Sequence, residues 1–63
     1  MKFAKDIQNV LGMIADTRGM TKATVHNLTA YSDAEEEMLG CLRALDNARF
    51  YAQNALKKVT KED

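Results

Sequence analysis

Ser32-Asp33-Ala34-Glu35 stands at the midpoint of a 63-residue chain and reads as the start of a helix. In an S-x-x-E capping box the serine hydroxyl accepts a hydrogen bond from the Glu35 amide, and the Glu35 carboxylate reaches back to the Ser32 amide. The residues that follow keep helical spacing. Met38, Leu42, Leu45, Ala52, Leu56 and Val59 recur at steps of three, four or seven, with Cys41, Ala48 and Ala55 beside them. Charge agrees with this direction: Asp33, Glu35, Glu36 and Glu37 open the segment, and Lys57, Lys58 and Lys61 close it, as the helix dipole favours. The reading predicts a helix over residues 33–59.

Working back from the capping box, Phe3, Ile7, Val10 and Ile14 form a stripe with 4-3-4 spacing, flanked by Ala4 and Leu11. The same heptad continues through Thr17, Thr21 and Thr24 to Leu28 and Tyr31, so its middle is small and polar. A first helix over residues 2–30 follows, with the turn at Tyr31-Ser32. Arg18-Gly19-Met20 weakens it, and a break at Gly19, with Thr21 capping a short second piece, stays open as the alternative. The chain is thus predicted to be a single all-α domain, an antiparallel two-helix hairpin.

Two helices share only one seam, and chains this short usually need a disulfide, a metal or a partner subunit. One cysteine excludes an intrachain disulfide, and no metal-ligand cluster is spaced along the chain. Self-association is the remaining remedy, so the hairpin is expected to dimerise into a four-helix bundle. Gly40, Ala44, Ala48 and Ala52 would let a second helix approach closely. Leu11, Met13, Met20, Leu39, Phe50 and Tyr51 lie partly off the internal seam and would be exposed on a monomer, which marks an interface.

Nine basic and nine acidic residues leave no net charge. That argues against a protein that grips nucleic acid by overall charge, and against an acidic mimic of it. No stretch nears the roughly 18 consecutive apolar residues of a membrane span. The charged start Met1-Lys2-Phe3-Ala4-Lys5-Asp6 predicts no signal peptide, and a lone cysteine fits a reducing, cytoplasmic setting.

Few residues carry chemistry. Phe50-Tyr51 is bracketed by Arg43, Arg49, Lys57 and Lys58, and aromatics interleaved with cations can stack on bases and hold phosphates. The plainer alternative packs both rings in an oligomer seam. Arg49 falls on a core position of the heptad between Leu42 and Leu56, where a cation must snorkel, face a ligand, or pair with a carboxylate such as Asp16 or Asp46. His26 and Cys41 are single copies out of register for a shared metal, and no nucleophile sits beside a base. The sequence predicts no enzyme and no cofactor. It predicts a small homo-oligomeric interaction protein that binds a protein partner through Leu39, Arg43, Arg49, Phe50, Tyr51, Lys57 and Met20. The alternative is binding of RNA or a small nucleotide by the basic-aromatic face of the second helix.

Overall fold

Leu28-Thr29-Ala30-Tyr31 is where the chain reverses. The Tyr31 amide donates to the Leu28 carbonyl at 2.9 Å, closing a four-residue turn. No residue of the described chain has positive φ, so the turn needs neither glycine nor asparagine. On either side lie two long helices, α1 (Lys2–Asn27) and α2 (Ser32–Lys61). The structure, a computed structural model, describes residues 2–61. α1 is continuous through Gly19, which closes the alternative of a break there.

The turn lies a few residues earlier than the sequence predicts, and the reason is the start of α2. The Glu35 amide donates to the Tyr31 carbonyl at 2.9 Å, which makes Tyr31 the cap residue and Ser32 the first residue inside the helix. That amide is therefore already taken, and the reciprocal bonds of a capping box are absent among the described residues. Glu35 is half-buried.

The two helices pack against each other along one seam. On the α1 side it runs through Ala4, Ile7, Leu11, Ile14, Arg18, Thr21, Val25 and Leu28. On α2 it runs through Glu35, Met38, Leu42, Leu45, Ala52, Leu56 and Val59. The α1 series keeps the 3-4 heptad spacing of a coiled pair, and the α2 series keeps it except for a seven-residue step from Leu45 to Ala52 across the exposed Arg49. Arg18 Nε donates to Asp46 Oδ1 at 2.6 Å across it and fixes the register. Residue numbers that sum to 63 or 64 therefore stand at the same level.

The phase of α1 corrects the sequence reading. Ile7, Ile14, Thr21 and Leu28 form one column, with Ala4, Leu11, Arg18 and Val25 on one side of it and Phe3, Val10, Thr17 and Thr24 on the other. A single neighbouring helix covers two adjacent columns out of three. The hairpin covers the side of Leu11 and Val25, where Arg18 meets Asp46, and leaves Phe3, Val10, Thr17 and Thr24 exposed. Tyr31 is exposed as well.

The seam is shallow. No hydrophobic side chain among the described residues is fully buried, and the one buried polar residue is Thr21, 5% exposed. Its hydroxyl donates to the Thr17 carbonyl at 2.8 Å, so it is satisfied by its own helix and offers nothing across the seam. The molecule is a rod of 50 × 15 × 9 Å.

Candidate functional site

An antiparallel pair of heptad helices has two faces, one on each side of the seam, and each face joins one flank of α1 to one flank of α2. On the first face α1 contributes Phe3, Val10, Met13 and Met20, all exposed, with the methionines at 69% and 72%. The intervening positions are Thr17 and Thr24. α2 contributes Cys41, Ala44, Ala48 and Ala55, also exposed, with Tyr51 at the outer edge. Charge reaches this face only near its ends, at Asp6, Glu37 and Lys58. One flank is bulky and the other small.

The second face is different in kind. Lys5 and Lys22 stand on its α1 side, and Arg43, Arg49 and Lys57 on its α2 side, every one exposed. Arg18 is the further cation, and Asp46 is held against it. The other acids on this side, Glu35 and Glu36, lie at the turn. A chain with no net charge thus gathers six of its nine cations onto one long side, which favours a positive potential there. Leu39, half-buried, and Phe50, exposed, supply apolar surface among the cations.

The predicted binding residues are therefore divided. Leu39, Arg43, Arg49, Phe50 and Lys57 belong to the basic face, whereas Met20 and Tyr51 belong to the apolar one. Phe50 and Tyr51 meet edge to face at the back of α2, with ring centroids 5.6 Å apart and planes at 73°. Arg49 does occupy a seam position of the heptad, but it is exposed and Asp46 pairs with Arg18 instead. Asp16 lies on the outer side of α1, exposed.

The predicted close-approach residues divide too. Successive i+4 positions drift by about 40° around a helix. Gly40, Ala44, Ala48 and Ala52 therefore wind from the outside of α2 across the apolar face and into the seam. Ala44 and Ala48 are exposed on that face, Ala52 is half-buried in the seam, and Gly40 is half-buried, with Arg43 Nη2 3.9 Å from where a Cβ would stand. Gly12 and Gly19 lie on the exterior, where an added Cβ meets nothing within 4 Å. Leu11, expected off the seam, lies within it.

Cys41, beside the α2 stripe, is an exposed thiol, and His26 is exposed on the opposite side of the hairpin. Among the described residues no group of three or more histidine, cysteine or acidic side chains is placed to hold a metal ion. Gly19, Lys22, Ala23, His26 and Asn27 line a depression on the outer surface of α1 that is open to solvent. No helix of the described residues is long and apolar enough to cross a membrane. Fold and faces together define a helical hairpin with one apolar side, charged only towards its ends among the described residues, and one basic side. Compared with known proteins, the chain matches no family model, no curated protein sequence and no solved structure.

Proposed function

We propose that this chain is a non-enzymatic interaction protein that works as a homodimer of hairpins, a four-helix bundle, and holds a second macromolecule with an acidic surface. Its basic face is the contact surface for that partner: Phe50 and Leu39 supply the apolar anchors, and Arg43, Arg49 and Lys57 ring them. Aromatic and arginine side chains dominate the energetics of such contacts. The lone exposed thiol of Cys41 fits a reducing compartment, the cytoplasm.

The observation that carries the reading is the extent of exposed surface. The hairpin exposes 5027 Å². A compact folded monomer of 7.1 kDa exposes about 4,100 Å² on the usual size scaling. The surplus of about 900 Å² is close to the roughly 800 Å² that each partner contributes to a standard interface. The same rod carries an apolar face free of charge along its middle. The test is the mass of the full chain in solution by light scattering over a concentration series. Twice the chain mass supports the reading, and a monomer at every concentration rejects it.

A second reading has one observation in its favour. Phe50 stands exposed among three cations of α2, with Lys5 and Lys22 along the same face, an arrangement that can stack a base and neutralise phosphates. Under this reading a single-stranded RNA oligonucleotide binds, and the affinity falls steeply with salt. Phe50→Ala and Arg43→Ala each weaken it about tenfold, the loss expected for one stacked base or one desolvated cation. Capture of an acidic protein with no RNA binding favours the first reading.

A further inference from the structure

The self-association proposed above can be taken one step further, to which face is shared and in what arrangement. We propose that the apolar face is the dimer interface, with α1 of each copy lying over α2 of the other and both turns at the same end of the bundle. The occupant of this face is a second copy of the chain, and three observations argue for it. The face lacks charge between its ends, so two copies can meet without desolvating unpaired ions. The rod as a whole exposes a surplus close to what one partner contributes to a standard interface, and this face is its broad apolar side. Its bulk is complementary to itself, since the large residues lie on α1 and the small ones on α2.

That last point selects the symmetry. Two hairpins can meet face to face about a two-fold axis along the rod or about one across it. An axis across the rod sets α1 on α1 and α2 on α2, bulk against bulk and alanine against alanine. The two helix pairs would then differ widely in spacing. An axis along the rod sets each bulky flank on a small one, so all neighbouring helices keep similar separations and the layers interdigitate.

Such an axis also keeps every residue at its own level. Residues whose numbers sum to about 63 stand level within the hairpin, as Arg18 and Asp46 do. They must therefore stand level between copies. Met20 of one protomer then meets the partner's Ala44, and Met13 meets the partner's Tyr51 as a sulfur–aromatic contact at the edge. The two basic faces point outward on opposite sides, so each dimer offers two equivalent partner sites.

The experiment combines mass with a distance, on the full chain carrying Cys41→Ala and a spin label on Thr29→Cys in the turn. The expected result is a dimer with the labels within about 25 Å of each other, since axes in such a bundle lie about 8–10 Å apart. A dimer whose labels lie near the 50 Å length of the rod overturns the arrangement while self-association stands. A monomer at every concentration overturns both. Met20→Lys, on an exposed helical position, is expected to weaken the dimer by about a hundredfold. Ala23→Lys, on the outer side of α1, is expected to leave it unchanged. A dimer indifferent to Met20→Lys rules the face out.

Discussion

Arg18 and Asp46 carry more information about this hairpin than energy. The pair is 35% and 49% exposed, so its Coulomb attraction is largely screened. Asp46→Ala is expected to cost less than about 1 kcal/mol in chemical denaturation, and the cost should shrink further at high salt. Arg18→Leu should be neutral or mildly stabilising, because the arginine stem already packs in the seam and the leucine keeps that packing. A loss of several kcal/mol in either variant would mean that the pair is much better shielded from water than its exposure indicates. The sequence did contain the clue to this pair. Arg18 lies four residues beyond Ile14, as acceptable a heptad step as the three to Thr17. Apolarity could not decide between them, because a threonine and an arginine are both poor seam residues. Only the reach of the guanidinium to a carboxylate on the other helix separates the two, and that is a tertiary fact.

Individual helices were legible for a different reason. Their apolar columns, the charge gradient of α2 and the lack of proline all point the same way, so the existence of two long helices that pack against each other could be read directly. The ends could not. The Ser32 box is a sound local signal, yet the chain begins α2 one residue sooner because the Tyr31 carbonyl accepts the Glu35 amide. Ser32→Ala should therefore change stability by less than about 0.5 kcal/mol, as a first-turn position rather than a cap. Tyr31→Asp should stabilise by roughly 1 kcal/mol, supplying a side-chain acceptor and a negative charge at the true cap. Thermal melts of the two variants distinguish the boundaries: a marked loss for Ser32→Ala with no gain for Tyr31→Asp would return the cap to Ser32. The glycines give a second test at this scale. Gly12 and Gly19 sit inside α1 with open space where a Cβ would go, so Gly12→Ala and Gly19→Ala should each stabilise by about 1 kcal/mol. Loss of stability in either would place a close neighbour over that surface. The width of the apolar stripe on α1 also belongs here. Three columns with apolar members, where a lone partner covers two, is the pattern of a helix in a larger bundle.

For the molecule as a whole, the decisive property is the contrast between its two long sides. One is free of charge along its middle and bears Phe3, Val10, Met13 and Met20 opposite a row of small residues; the other gathers cations around Phe50 and Leu39. The sequence reading placed Phe3 and Val10 in the internal stripe, joined Met20 and Tyr51 to the cations in one binding set, and kept Gly40, Ala44, Ala48 and Ala52 apart as close-approach residues. Their assignment to faces depends on the phase of α1 and on the i+4 drift around α2, which composition and spacing leave open. A rod with no fully buried hydrophobic side chain among its described residues has little to hold it together by itself. Stability and assembly should accordingly be coupled, so the melting temperature should rise with protein concentration. The most direct test is sedimentation equilibrium of the full chain from low micromolar to near-millimolar concentration. The expected result is a reversible transition to twice the 7.1 kDa chain mass, abolished or shifted far upward in concentration by Met20→Lys. A single species at the chain mass throughout, in a protein that remains helical, would contradict it.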